Sequence, residues 1–254
     1  MEVMPRGLIR RLAGARYVTA LTGSGISAES GVPTFRDAQT GLWAQYKPED
    51  LATPEAFARD PELVWDWYAW RRGLIAQAQP NAGHHALVVL AHCIPGFTLV
   101  TQNVDGLHQR AGSTDVIEFH GNIGRTRCSR ESLLVEETMP ATDDAGRRCP
   151  RCGAWLRPDV VWFGEAIPTP ALETAFAAAK RCDVFLSIGT SSQVYPAASL
   201  AELAQAAGAC VIEVNPRPTP HSHFASYLLN GPAGVMLPAL TSALTRAGAA
   251  REPR

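Results

Sequence analysis

Tyr17–Asp37, YVTALTGSGISAESGVPTFRD, constrains the fold more than any other stretch. Tyr17 to Leu21 is a short apolar run of the kind that forms a buried parallel strand. Thr22, Gly23, Ser24 and Gly25 break the run. Ile26 to Ser30 can then open a helix, with Ser24 or Ser27 as cap and Glu29 favourable near a positive helix N-terminus. Strand, glycine turn and helix start together form an anion cradle: N–H groups face a phosphate, and Gly23 and Gly25 admit the main chain where a Cβ would clash. Gly23-x-Gly25-x-x-Ala28 also satisfies the dinucleotide fingerprint, a weak match when it stands alone. A hydride-transfer enzyme needs an acidic residue about 20 positions on, ending a second strand. Pro33, Phe35, Arg36, Asp37, Gly41, Trp43 and Pro48 follow instead, which is loop chemistry. The cradle is therefore expected to bind a dinucleotide in a chain not wound like a hydride-transfer enzyme.

The N-terminus, MEVMPRGLIRRLAGA, lacks a secretory signal's uninterrupted apolar core and reads as an amphipathic helix. Residues 48–79 read as two helical pieces parted at Asp60-Pro61, followed by a helix over Asn81–His92. Strands are expected at Phe97–Thr101 and Val116–Phe119, then a helix at 170–180, strand Val184–Ile188, helix 197–207 and strand Cys210–Val214. Strands alternating with helices of this length imply a parallel sheet with helices on both faces, an α/β fold. Its ligands bind beyond the carboxyl ends of the strands. Residues 125–157 concentrate Arg, Glu, Pro and the paired cysteines and read as a small inserted module. Residues 1–124 and 158–247 then make one discontinuous Rossmann-like domain, with 248–254 a disordered tail.

A chain of 254 residues can bury one large core with a small insert. A net charge of −1 with 19% charged residues excludes a generally basic nucleic-acid binder, though not a local basic groove. No apolar run approaches the roughly 20 residues of a membrane helix. A monomeric, cytoplasmic protein with no direct nucleic-acid or membrane partner is expected. The six cysteines do not resemble a secreted disulfide framework. Cys93, Cys182 and Cys210 have apolar neighbours and are expected to be buried thiols.

Five polar clusters each follow a predicted strand: Gly23–Arg36, Thr101–Asp105, His120, Gly189–Ser192 and Asn215. The fold rule gathers them along one crevice. Singly they are ordinary, since Asn and Asp favour turns and a lone histidine beside an apolar strand is more often structural. Imidazole nevertheless has the near-neutral pKa that a general base requires. His84, His85, His92, His108, His221 and His223 have no comparable context.

GSGISAESGVPTFRD resembles the signature of the sirtuins, NAD-dependent protein-lysine deacylases, with Ser24 where the family usually has Ala. Similar blocks at 101–112, 120–121, 158–165, 189–196 and 213–215 extend the resemblance over nearly the whole chain. It implies NAD as co-substrate, with Gly23, Ser24, Gly25 and Ile26 in the cradle and Phe35 and Arg36 over the nicotinamide side. Gln102, Asn103 and Asp105 are implied to contact the nicotinamide ribose and carboxamide. Gly189, Thr190 and Ser191 are implied as a second cradle, Asn215 at the adenosine ribose and Ala233 beside the adenine. His120 matches the catalytic base. Acyl-lysine peptides are the implied partners, paired as an added strand between Val161 to Glu165 (VWFGE, with Val161, Phe163, Gly164 and Glu165 as contacts) and Val194-Tyr195. In the implied reaction the acyl oxygen attacks C1′ of the nicotinamide ribose as nicotinamide leaves. His120 then deprotonates a ribose hydroxyl, which attacks the imidate carbon. The products are free lysine, nicotinamide and an acyl ester of ADP-ribose. Mono-ADP-ribosyl transfer, a reaction some relatives resemble, is the alternative.

Tyr68 and Arg71 stand three apart, on one helical face. A phenol beside a guanidinium can grip a carboxylate. Sirtuins that remove succinyl and malonyl groups carry this Tyr-x-x-Arg pair, with a small residue matched here by Ala52 in Ala-Thr-Pro. Desuccinylation and demalonylation, with weaker deacetylation, are therefore expected. Sirtuins also usually hold a structural zinc with two Cys-x-x-Cys pairs. Cys149-Pro-Arg-Cys152 is intact, whereas Cys128 is followed three residues on by Glu131. Three cysteines and one carboxylate leave a weak site or a lost one, and substoichiometric zinc is expected.

Overall fold

Tyr17–Thr22 forms strand β1, buried at every position but the first, and the main sheet is laid out from it. The computed structural model describes residues 4–33, 46–135 and 147–249. Gly96–Thr101 (β2) and Ile117–Glu118 (β3) lie in sequence on one side of β1. Val184–Ile188 (β7), Cys210–Asn215 (β8) and Tyr227–Asn230 (β9) lie on the other. Every pairing in this six-stranded sheet is parallel. Numbered within the sheet alone, the order is the 3-2-1-4-5-6 winding of dinucleotide-binding folds. This corrects the expectation of a different winding. The second strand exists, but a long helical crossover separates it from the glycine turn.

That crossover comprises Pro48–Leu51 (α3), Pro54–Arg59 (α4), Pro61–Gln77 (α5) and Ala82–Cys93 (α6). Asp60-Pro61 is a start signal: the Asp60 carboxylate accepts the Leu63 N–H at 3.0 Å, and Pro61 takes a position where no N–H is needed. Asn81 caps α6, and its amide donates to Ile26 O at 2.7 Å and Ser30 Oγ at 2.9 Å. The crossover is thus tied to Gly25–Ala28 (α2), the single helical turn after β1.

One face of the sheet packs Leu8 and Leu12 of Arg6–Gly14 (α1), Leu87 and Leu90 of α6, and Leu237 and Leu240 of Ala233–Ala249 (α10). The other packs Ala175 and Ala179 of Thr169–Arg181 (α8) and Leu200 and Ala204 of Ser199–Ala206 (α9). Strand β9 and helix α10 fall in sequence left unassigned above, where Pro238 interrupts the helical pattern; α10 accommodates it and runs to Ala249. Gly121–Cys128 (β4), Leu134–Val135 (β5) and Leu156–Val160 (β6) form a separate antiparallel sheet, its strands reaching beyond 125–157 at both ends. Leu107–Arg110 (α7) is one turn after β2.

Cys182 is buried as expected, but Cys93 is exposed and Cys210 half-exposed. Both occupy ends of elements, where apolar sequence neighbours do not cover a side chain. Among the described residues no helix is long and apolar enough to cross a membrane.

Candidate active site

The order of the sheet reverses between β1 and β7, and the turn after each strand meets the other there. Gly23 N–H donates to Ile188 O at 2.9 Å, and Gly25 N–H to Gly189 O at 2.8 Å. A Cβ on Gly25 would lie 2.7 Å from Gly189 O, and one on Gly189 would lie 2.6 Å from Ile26 N. The glycines therefore let two loops of the chain interlock, and their N–H groups are already bonded. Any phosphate-facing N–H groups of the cradle are therefore others than those of Gly23, Gly25 and Gly189. Ser24 heads α2 without a side-chain cap bond. Glu29 does serve a helix N-terminus, but that of α10, accepting Gly234 N–H at 2.7 Å.

A cavity of about 440 Å³ opens beyond the carboxyl ends of β1, β2 and β7. Gly23, Ser24, Gln102, Asn103, Asp105, His120, Thr190 and Ser191 line one part of it. Ala52, Tyr68, Arg71, Val161, Phe163, Gly164, Glu165, Val194 and Tyr195 also line it, as do Ser27 and Trp162. Gly25, Ile26, Gly189, Asn215 and Ala233 do not line this cavity: Ile26 and Ala233 are buried in the core, and Asn215 Nδ2 donates to Thr190 O at 2.8 Å. Phe35 and Arg36 lie outside the described residues.

His120 Nδ1 sits 3.0 Å from Gln102 O. A carbonyl only accepts, so Nδ1 carries the proton and Nε2 keeps its lone pair. Burial holds His120 below the usual histidine range, partly offset by that bond, so the ring is neutral at pH 7. The Gln102 amide donates to Thr190 Oγ1 at 3.0 Å, joining the loops after β2 and β7.

Ser27, read from sequence only as a possible cap, is a hub of the crevice floor. Its hydroxyl donates to Asp105 Oδ2 at 2.7 Å and accepts from Asn103 Nδ2 at 3.1 Å. Asp105 Oδ1 accepts Leu107 N–H at 2.9 Å. Burial raises the Asp105 pKa, and these bonds oppose the rise. Below them Thr22 Oγ1 lies 2.9 Å from both Thr101 Oγ1 and His108 Nε2. Burial pushes His108 down to about 3 and its neighbour His84 to about 4, so both are neutral packing groups. No local sequence signal distinguishes Ser27 or His108; their burial does.

At the other wall, Tyr68 accepts the Trp162 indole N–H at 2.9 Å. Phe163 N–H donates to Ala52 O at 2.9 Å, joining the Ala-Thr-Pro turn to VWFGE. The Glu165 carboxylate, expected at the substrate edge, is held by Arg157 at 2.5 and 2.9 Å and by Trp162 N–H at 2.8 Å. Phe163, Val194 and Tyr195 are exposed.

The Cys128, Cys149, Cys152 and Glu131 donor atoms all lie within 4.8 Å of one another. Cys128 Sγ and Cys152 Sγ are 3.4 Å apart, near the roughly 3.8 Å separating thiolates on a tetrahedral zinc. Among the described residues Glu131 Oε2 is buried without a hydrogen-bond donor, although the Arg151 guanidinium approaches to 3.4 Å. The donor set fits zinc, held by three thiolates and the weaker carboxylate. Chelator-washed protein is expected to retain less than one equivalent by elemental analysis, and Glu131→Cys to retain a full one. A full, tightly held equivalent in the parent overturns this.

The winding, the interlocked turns at its switch point and a neutral imidazole in the crevice define a doubly wound α/β protein of the dinucleotide-binding type. Comparison with known proteins narrows this class. The Sir2 family pattern matches residues 23–196, and the chain belongs to that family. It is 51% identical over 242 residues to a Pseudomonas aeruginosa protein named NAD-dependent protein deacylase 1, covering 92% of this chain and 97% of that one. A crystal structure of a Sir2 homolog–NAD complex is 44% identical, with a TM-score of 0.89 and coverage of 97% and 96%. A mutant Sir2 homologue bound to 2′-O-acetyl ADP ribose is 43% identical, with a TM-score of 0.92 and coverage of 98% and 100%.

Proposed function

We propose that this chain is an NAD-dependent protein-lysine deacylase that prefers acyl groups ending in a carboxylate, succinyl and malonyl, over acetyl. The observation that carries the acyl preference is the joint presence of Tyr68, Arg71 and Ala52 on the wall of the cavity that also holds His120. Burial lowers the Arg71 pKa, and an incoming carboxylate offsets that desolvation with charge-assisted bonds. Tyr68 is buried and held protonated, its pKa raised by desolvation, so it is a donor. The relatives named as deacylases support the NAD-dependent reaction.

Within this reading the two interlocked turns hold the dinucleotide against β1 and β7, with Ser24, Thr190 and Ser191 on the cavity side. NAD, consumed as co-substrate, supplies the ribose carbon to which the acyl oxygen adds. His120 Nε2 takes the proton of a ribose hydroxyl, and the Gln102 carbonyl stabilises the resulting imidazolium through Nδ1–H. Asp105 and Asn103, pinned by Ser27, present a fixed polar floor to the nicotinamide side. Val161, Gly164, Val194 and Tyr195 border the opening where an acyl-lysine peptide adds as a strand.

The test uses one peptide in acetyl-, malonyl- and succinyl-lysine forms, with and without NAD, followed by product masses. NAD-dependent loss of succinyl and malonyl is expected. Arg71→Met is expected to lower kcat/KM for the succinyl peptide about 100-fold while changing acetyl turnover little. Loss of acetyl alone refutes the preference. Transfer of label from NAD to protein, with no small ester formed, refutes the deacylase reading in favour of ADP-ribosyl transfer.

A further inference from the structure

We propose that Trp162 is a specificity-determining positioning residue, whose indole N–H fixes Tyr68 as a hydrogen-bond donor toward the carboxylate of the acyl group; this rests on the acyl preference proposed above. The indole nitrogen is a donor and nothing else, whereas a phenol oxygen both accepts and donates. Trp162 Nε1 lies 2.9 Å from the Tyr68 oxygen, so the phenol accepts there and its one proton must be given elsewhere. Tyr68 lines the same cavity as Arg71, so a carboxylate entering it meets a phenolic proton as well as a guanidinium. Without the indole N–H, the phenol oxygen would be free to accept from any other donor, and its proton would have no fixed direction.

Trp162 is built to hold one orientation. It is 3% exposed, the Arg157 guanidinium stacks 3.3 Å from its ring centroid, and the Phe57 ring packs at 5.1 Å and 47°. Its backbone N–H, distinct from the indole donor, donates to Glu165 Oε2 at 2.8 Å, and Arg157 binds both oxygens of that carboxylate. Arg157 also donates to Val160 O at 2.8 Å. Glu165 thus pins the Trp162 main chain, Arg157 and Phe57 hold the ring, and the indole orients the phenol. Packing alone requires only an aromatic ring at 162; the direction of the Tyr68 proton requires the N–H.

Trp162→Phe keeps a ring and removes the donor. For the succinyl-lysine peptide we expect KM to rise about tenfold, the loss of one oriented bond to a charged group, with kcat within about twofold. The acetyl-lysine peptide should keep its KM. Tyr68→Phe added to Trp162→Phe should cost the succinyl peptide little more, because both changes break one relay. Equal losses for succinyl and acetyl peptides, additive losses in the double variant, or no loss at all overturn the proposal. The unmodified enzyme offers a second readout by indole N–H NMR. The Trp162 resonance should move on adding succinyl-lysine peptide and stay on adding acetyl-lysine peptide, and equal responses overturn the relay even if Trp162→Phe does not fold. A parent enzyme that fails to prefer succinyl over acetyl refutes the acyl reading and this inference with it. A parent that prefers succinyl, with a Trp162→Phe variant that prefers it equally, refutes this inference alone.

Discussion

His120→Ala is expected to bind NAD much as the parent does and to turn over succinyl-lysine peptide about 1,000-fold more slowly, the scale of a lost general base. The ring lies at the end of its own hydrogen-bonded support: Nδ1–H is spent on the Gln102 carbonyl, which leaves Nε2 as the basic atom. Burial makes the charged ring unfavourable and lowers its pKa below the usual value near 6.5. In its proposed role as base, His120 is therefore already largely deprotonated at pH 7. Activity should fall on the acid side as Nε2 becomes protonated, with the midpoint of that limb below the ordinary histidine value. The alanine variant should lose that acid limb together with the rate. Calorimetric titration with NAD separates binding from turnover. Equal turnover in the variant would sink the assignment, and an acid limb centred well above pH 7 would contradict the buried, neutral ring.

The parts of this architecture that could be read from the chain are those whose signal is local. The run Tyr17–Leu21 announces β1 because a strand covered on both faces has no polar alternation to hide it. Tyr68 and Arg71 stand out because a phenol and a guanidinium three apart share a helical face. What could not be read depends on partners distant in sequence. The winding was obscured because the strand paired to β1 on this side begins at Gly96, beyond five helices among the described residues. The small antiparallel sheet was hidden by its charges: Arg125 is exposed and reads as loop chemistry, yet it bridges Glu118 at 2.6 Å and Asp159 at 2.9 Å. Glu165 belongs to a motif that borders the cavity, but its carboxylate faces Arg157, a partner that no spacing rule could identify. The glycines show the same limit. Their pattern marks a close approach, while only the fold shows that the approaching group is Gly189.

Gly189→Ala is accordingly expected to cost about 2–5 kcal/mol of stability, combining a left-handed backbone penalty with overpacking, and to weaken NAD binding as well. Gly189 sits at φ +58°, where an L side chain is strained. An added Cβ would also meet Ile26 N at 2.6 Å and Gly25 C at 2.8 Å. Those are backbone atoms at the start of α2, tied to Asn81 and to the Gly25–Gly189 hydrogen bond, so they cannot swing aside as a side chain would. Relief must come from moving the loop that carries Thr190 and Ser191 away from Gly23. That shift lengthens the contact between Gln102 Nε2 and Thr190 Oγ1, which brings the loops after β2 and β7 together. Gly208→Ala provides the control. Its φ is +92°, but nothing lies within 4 Å of the added Cβ, so it reports the backbone penalty of about 1–2 kcal/mol without the clash. Urea unfolding of the two variants measures the difference, and calorimetry measures NAD affinity. Equal destabilisation with unchanged affinity in both would mean that the turns after β1 and β7 are not interlocked. A larger loss at Gly189, accompanied by weaker NAD binding, would tie stability and ligand recognition to the same pair of turns at the centre of the sheet.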